Sequence, residues 1–171
     1  MTRSTTLQEN EFLGQVMDRT GSELTQVITE AVQKTVNAMF GQRMYAVHGR
    51  IARHTPPYCT ASVFLVQGTS CFRLRLAFDG PLLKTLVAAV YPLEAVNTDG
   101  ALRDVASEIS NIIAGYVKTF INQKGFNVSR DVPVVEDVAT STAAAAGSFS
   151  LNFSIFSNSM SVGNFLNVTL L

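Results

Sequence analysis

The 171-residue sequence has few charges and few of the residues that usually hold metals. Only 15% of its residues are Asp, Glu, Lys or Arg, the formal net charge is +0, and there are two cysteines and two histidines. Because the sequence has no run of Lys and Arg, it does not predict binding to nucleic acid or to an anionic membrane surface. His48 and His54 have no cysteine or carboxylate at metal-ligand spacing, so we expect structural roles for them and no metal.

Long apolar runs are also missing. No uninterrupted apolar stretch approaches membrane-spanning length, and residues 1–15 lack the apolar segment of a signal peptide, which predicts a cytoplasmic protein without membrane contact. Because 47% of the residues are hydrophobic, the chain is long enough for one substantial core. We expect a single domain over residues 19–171. Residues 1–18 form either a short helix, at 7–17, or a loosely docked extension, and we assign them no function.

Alternating apolar residues predict two strands that form a tight hairpin. Residues 58–66 and 71–79 flank a Gly-Thr turn at 68–69, which suits type II′ because glycine comes first. The register that follows sets Leu65 opposite Phe72, Val63 opposite Leu74, Ala61 opposite Leu76 and Cys59 opposite Phe78. Cys59 and Cys71 fall on different pairs, so we expect both to be reduced, with Cys59 buried.

The C-terminal residues predict a second hairpin with an almost uncharged polar face. Its apolar residues share the other face: Phe149, Leu151, Phe153, Ile155, Met160, Val162, Leu166, Val168 and Leu170. Long strands that show Ser, Asn and Thr on one face have poorly protected edges, which suggests pairing with a second subunit. A helix of the same chain that covers this face is the alternative, and the sequence favours neither.

Apolar residues at spacings of three and four predict helices over residues 22–40 and 100–125. For the longer helix, Thr98 and Asp99 supply side-chain oxygens for an N-cap, and Gly125 suits the position after the last turn. Its predicted apolar stripe consists of Leu102, Val105, Ile109, Ile112, Ile113, Tyr116 and Phe120.

The order of the elements predicts the fold class. A strand at 44–52 precedes the first hairpin, a short helix at 82–91 follows it, and an extended loop or edge segment lies at 126–135. Helix, three strands, short helix, long helix and two long strands indicate an α+β fold, with an antiparallel β-sheet and helices packed on one face.

The longest helix carries one row of polar and small residues, Asp104, Glu108, Asn111 and Gly115, spaced four, three and four residues apart. Such a row is usually only a solvated helix face. The segment DVASEISNIIAGYV, with Pro133 22 positions after Asn111, nevertheless resembles the signature of the CheC/CheX/FliY family of chemotaxis phosphatases, and most of all single-site CheX.

The resemblance extends from about residue 20 to residue 171 and implies action on a phosphorylated CheY-like response regulator. Such a regulator already holds its aspartyl phosphate, Mg²⁺ and a Lys, so hydrolysis lacks an oriented, in-line water. A carboxamide can orient water without bringing a second negative charge to the phosphoryl group. We expect Asn111 to orient this water and, by the resemblance, Glu108 to pair with the regulator's Lys. No cofactor is expected in this chain, since the Mg²⁺ belongs to the partner.

The remaining motif positions have less direct expected roles. Asp104 stabilises the positive helix N-terminus or tunes docking. Gly115 either admits a close partner or packs tightly on a neighbouring helix, and Pro133 shapes a loop. Glu30 and Gln33 repeat the spacing on the preceding helix, but their neighbours do not resemble the first motif of two-site members, so we expect a solvated face there. The resemblance to single-site members further implies a homodimer.

Other enzyme classes find little support in the sequence. There is no Gly-rich phosphate loop, no G-x-S-x-G elbow and no zinc spacing, and a Ser/His/Asp triad assembled only in space would leave no such signature. The serious alternative to a phosphatase is a binding module: a CheX-like domain that docks a receiver domain or a flagellar-switch component without dephosphorylating it.

Overall fold

Helices and strands follow one another much as the periodicities predict. The computed structural model of the protein describes residues 3–48, 56–137, 149–156 and 164–171. The helices of these ranges are α1 (Arg3–Thr20), α2 (Ser22–Phe40), α3 (Gly80–Val90) and α4 (Asp99–Gln123), with a 3₁₀ turn at Leu93–Ala95. The strands are β1 (Tyr45–Val47), β2 (Cys59–Gln67), β3 (Ser70–Phe78), β4 (Ser129–Arg130), β5 (Val134–Asp137), β6 (Phe149–Ser154) and β7 (Phe165–Leu170).

The strands form one antiparallel sheet in the order β1-β6-β7-β3-β2-β4, and β5 pairs with β2 beside β4. The inner face of the sheet shares one apolar core with the helices, since residues of both are buried in a single cluster. The predicted α+β fold, with helices on one face, is confirmed. The segment at 126–135 is the predicted edge, because β4 and β5 both pair with β2 on its free side.

The first hairpin has the predicted register throughout, from Gln67 opposite Ser70 to Cys59 opposite Phe78. Gly68 has φ +62° while no described residue other than glycine has a positive φ, as a type II′ turn requires. Neither Cys59 nor Cys71 forms a disulfide, and Cys59 is buried, as expected. The strand predicted over 44–52 is confirmed for 45–47 only, since residues 49–52 lie outside the described ranges, as does His54.

The C-terminal strands β6 and β7 pair with each other through Leu151–Val168 and Phe153–Leu166, so their apolar residues share the core face as predicted. Met160 and Val162 lie outside the described residues. On the other face, Asn167 Nδ2 donates to Ser150 Oγ and to the side-chain oxygen of Asn152, both over 2.8 Å. These polar residues therefore satisfy one another, while the helices pack against the opposite face of the sheet.

The N-terminal helix α1 is part of the core. Phe12, Leu13 and Val16 are buried, and the Phe12 ring lies 5.7 Å from the ring of Phe72 on β3. Of the two alternatives for this segment, the structure shows a helix, longer than the predicted 7–17, and it is docked rather than loose.

The predicted boundaries of α2, α3 and α4 hold to within two residues. Gly41 ends α2 in the left-handed conformation, with φ +64°, and Gly125 follows α4 with φ +92°. The N-cap prediction for α4 is wrong in one respect: the Thr98 hydroxyl donates to the Ala95 carbonyl and makes no bond to the helix N-terminus.

Candidate functional site

The buried face of α4 fixes which of its residues point outward. Its buried residues are Leu102, Val105, Ala106, Ile109, Ser110, Ile113, Ala114, Val117 and Ile121. The predicted stripe was wrong at one border: Tyr116 is 44% exposed, and Val117 and Ile121 take the core positions instead. With the helix rotated in this way, Asp104, Glu108, Asn111 and Gly115 lie along its outer side.

Both ends of α4 are tied to the rest of the domain. At its start, the side chain of Asp99 accepts hydrogen bonds from the Tyr58 hydroxyl and from Arg103, whose guanidinium also bonds Asp137 on β5. The Tyr58 bond and then the Arg103 bond lower the pKa of the Asp99 carboxyl, and the same contact with Asp99 raises the pKa of Tyr58 to about 12.

At the other end of α4, the amide of Asn122 bonds both the N–H and the carbonyl of Val128, at 2.7 and 3.1 Å. The ammonium of Lys124 lies 2.6 Å from the carboxylate of Glu23. Because Glu23 lies in the first turn of α2 and Lys124 directly follows the last residue of α4, the two helices pack side by side and run antiparallel.

Glu108 is exposed and has no hydrogen bond or ion pair with any residue that the structure describes, and the same holds for Asp104. The two carboxylates line a recess of about 310 Å³ together with residues at the C-terminal ends of α2 and α3: Met39, Phe40, Val90 and Tyr91. Val90 is 51% exposed and Tyr91 43% exposed. The recess thus combines two unpaired anionic groups with exposed apolar surface, which suits a cation carried on a long apolar stem.

Asp104 does not lie at the helix end. Since α4 begins at Asp99, the acidic residue of the first turn is Asp99, whereas Asp104 lies in the second turn. The helix dipole acts within the first turn, so the expected helix-end contribution belongs to Asp99. The docking role expected for Asp104 stays a prediction.

The half-buried Asn111 has a partner that the sequence reasoning missed. The Nη1 of Arg130, on β4, donates a hydrogen bond to the Oδ1 of Asn111. Strand pairing sets Arg130 opposite the buried Leu65, on the helix side of the sheet. No local pattern could have found this contact, because it depends on which strand the two-residue segment β4 pairs with.

Gly115 and Pro133 have distinct surroundings. A Cβ added at Gly115 would meet no atom within 4 Å, so the alternative of tight packing on a neighbouring helix is wrong. Gly115 instead lines a groove of about 530 Å³ between α2 and α4. Pro133 lies in the three-residue break between β4 and β5, where proline suits an interrupted ladder because it has no N–H to donate.

On α2, both Glu30 and Gln33 already bond to neighbouring residues of this chain. Glu30 accepts a hydrogen bond from Gln26 over 3.0 Å and forms an ion pair with Lys34 over 3.2 Å. Gln33 donates to the carbonyl of Met44 over 3.2 Å. These contacts agree with the expectation of a solvated face rather than a second site.

Other reactive side chains do not assemble into a site. Burial raises the pKa of the Cys59 thiol to about 11, so this thiol is protonated and unreactive near neutral pH. Within the four described ranges, no group of three or more His, Cys, Asp or Glu side chains is placed to hold a metal ion. The helices of these same ranges include none that is both long and apolar enough to cross a membrane.

Comparison with known proteins shows a shared fold at low sequence identity. No protein-family model and no curated protein sequence matches the chain. Among solved structures, the chemotaxis protein CheX from Vibrio vulnificus is similar with a TM-score of 0.64 at 14% identity, covering 86% of this chain and 95% of that one. A CheC-like superfamily protein from Shewanella gives a TM-score of 0.65 with the same identity and coverage.

A third similar structure contains a partner. It is the complex of CheX with CheY, BeF₃ and Mg²⁺ from Borrelia burgdorferi, with a TM-score of 0.56 at 16% identity, covering 85% of this chain and 95% of the matched one. These likenesses confirm at the level of the fold the resemblance that the motif predicted: the chain has the α+β fold of CheX and CheC-like chemotaxis proteins.

Proposed function

We propose that this protein is a phosphatase that hydrolyses the aspartyl phosphate of a CheY-like response regulator. The observation that carries the proposal is the outer row of α4, where Glu108, which has no partner among the described residues, and the amide of Asn111 stand one turn apart in a CheX-like fold. A single-site CheX-like enzyme needs these two side chains at this spacing, since both must enter one cleft from one helix.

Asn111 orients the attacking water. In the reaction, the water oxygen forms a bond to phosphorus as the bond from phosphorus to the regulator's aspartyl oxygen breaks. The electron pair of the broken bond stays on the aspartate carboxylate, and the protons of the water end on inorganic phosphate and solvent. In such a reaction the protein contributes mainly by positioning the attacking water. A neutral amide does this without repelling the phosphoryl oxygens.

Glu108 docks the regulator. Its carboxylate has no partner in the part of the chain that the structure describes, so an ion pair with the regulator's Lys breaks none of the described contacts. The recess beside it accommodates the stem of that Lys, and Asp104 adds a second negative charge at the rim. The complex of CheX with CheY, BeF₃ and Mg²⁺ supports a partner of this class. In the proposed reaction the Mg²⁺ belongs to the regulator, and this chain contributes no cofactor.

The other motif residues act on the shape of the docking surface. Because Gly115 has no side chain, a partner can come close to the backbone of α4 at this position. Pro133 shapes the break between β4 and β5. We also expect a homodimer. The exposed Val132 and Val134 at the β4–β5 edge, 80% and 49% exposed, mark an edge where a second copy could pair, which molar mass in solution would test.

The experiment that tests the proposal separates binding from hydrolysis. CheY-like receiver domains are charged with a small phosphodonor and Mg²⁺, and decay of the phosphorylated form is followed with and without the protein. Acceleration at sub-stoichiometric protein supports a phosphatase. Binding of the receiver with unchanged decay would establish the binding module instead, and Glu30→Ala serves as the control that should leave both properties as in the wild type.

A further inference from the structure

The contact between Arg130 and Asn111 determines which atom of the amide faces outward. A guanidinium group has only donors, so the amide atom that contacts it must be the carbonyl oxygen, Oδ1. The Nδ2 of the same planar amide then points away from Arg130. Without Arg130, the two orientations of the Asn111 side chain, related by a flip of the amide, would differ little in energy.

The position of Arg130 is fixed by the backbone on both sides. Ser129 and Arg130 pair with Val66 and Leu65 of β2, and the N–H of the next residue, Asp131, donates to the Phe64 carbonyl over 3.1 Å. Arg130 is itself half-buried on the helix side of the sheet.

We infer that Arg130 is a positioning residue that holds the Asn111 amide with Nδ2 directed outward, toward the attacking water. This inference rests on the proposed phosphatase function. A hydrogen bond to a cation draws electron density from Oδ1, which makes the Nδ2 hydrogens better donors. The water oxygen accepts from Nδ2, and the second lone pair of Oδ1 remains available for a proton of the same water. Arg130 acts through Asn111 and does not touch the phosphoryl group.

Three substitutions test this role in the phosphate-release assay. Arg130→Ala should lower kcat about tenfold and leave KM within twofold, because docking through Glu108 is unaffected. Arg130→Lys keeps a cationic donor and should retain more of kcat than Arg130→Ala. Arg73→Ala is the matched control for loss of one positive charge, because Arg73 stacks on Phe64 on the other face of the sheet, and it should leave kcat unchanged.

A double-mutant cycle separates positioning from other roles. If Arg130 acts through the amide, Arg130→Ala should cause no further loss in the Asn111→Ala background. An equal loss in both backgrounds would overturn the inference, since Arg130 would then act directly or through the fold. A wild-type protein that leaves receiver decay unchanged overturns the proposed function itself, which is a different outcome from active wild type with unaltered Arg130→Ala.

A spectroscopic readout tests the contact without a partner. In ¹H–¹⁵N correlation spectra, the side-chain NH₂ pair of Asn111, identified by its loss in Asn111→Ala, should shift in Arg130→Ala and stay in place in Arg73→Ala. An unmoved NH₂ pair in Arg130→Ala would show that Arg130 does not hold the amide and would overturn the inference.

Discussion

Two antiparallel neighbours, α2 and α4, carry rows with the same spacing. The row on α2 is Gln26, Glu30, Gln33 and Asn37, and the row on α4 is Asp104, Glu108, Asn111 and Gly115. On α2 the carboxylate is paired with Lys34 and Gln26, and the amide donates to a backbone carbonyl. On α4 the carboxylate is unpaired among the described residues, and the amide is held through its oxygen.

The difference shows that spacing alone does not make a site. A docking carboxylate has to be free of internal partners, because a paired one must first give up the bonds it has. An amide that positions water has to be held from behind with donors outward, whereas Gln33 uses its donors on the Met44 carbonyl. Among the described contacts, the α4 row meets both requirements of the proposed function and the α2 row meets neither.

The largest expected effect concerns the amides. Asn111→Ala should lower kcat for phosphate release about 100-fold, because the water loses its positioning donor. Gln33→Ala should leave kcat within twofold, since that amide only bonds Met44. Steady-state assays on one receiver domain compare the two variants, and similar losses in both would break the distinction between the rows.

The next effect concerns the carboxylates. Glu108→Ala and Glu108→Gln should both raise KM about tenfold, with a smaller change in kcat, because a charge-assisted contact to the regulator's Lys is lost. Glu30→Gln should alter neither value. A receiver loaded with beryllofluoride gives the binding constants directly, and normal affinity in Glu108→Gln would exclude a role for its charge in docking.

A smaller effect is expected at the fourth position of the rows, where α4 has Gly115 and α2 has the larger Asn37. Gly115→Ala should raise the free energy of unfolding by about 0.5–1 kcal/mol, because alanine is the better helix former and an added Cβ meets no atom within 4 Å. The same variant should weaken receiver binding severalfold if the partner comes close to this position. Urea unfolding and titration measure the two quantities, with Asn37→Ala as the control that should leave binding unchanged.

The smallest expected effect is a change in the pKa of the Glu30 carboxyl group. Hydrogen bonds from Gln26 and Lys34, together with the charge of Lys34, lower the pKa of Glu30 below its usual value of 4.5. Lys34→Ala should raise this pKa toward 4.5, as followed by NMR of the Glu30 carboxyl carbon. A lowered pKa means that the contacts contribute to stability above the unfolded-state value and lose that contribution as the pH falls through the folded value, so Lys34→Ala should flatten this part of the acid unfolding profile. An unchanged pKa would mean that the ion pair with Lys34 does not contribute to the shift.

The sequence predicted the parts of the fold that local patterns determine. The register of the β2–β3 hairpin follows from a two-residue turn and from alternation, and the ends of α2 and α4 follow from Gly41 and Gly125. The outer row of α4 was also predicted, because helical periodicity places it. The likeness of the fold to CheX agrees with the motif, while the roles of the site residues remain predictions.

The missed features depend on contacts between segments distant in sequence. Arg130 reaches Asn111 only because β4, two residues long, pairs with the end of β2. The docking of α1 depends on Phe12 meeting Phe72, and the exchange of Tyr116 for Val117 in the core depends on how α4 rotates against the sheet. Periodicity places such residues on a face, but packing decides which border residue is buried.

The ties at both ends of α4 have a mechanical consequence. Tyr58 and Arg103 hold its start through Asp99, and Asn122 and Lys124 hold its end through Val128 and Glu23. A helix that is held at both ends resists rotation about its axis and translation along it. In the proposed complex, α4 should therefore not yield by rotation when the regulator contacts the outer row, and the movement that aligns the phosphate with the amide of Asn111 should come from the regulator.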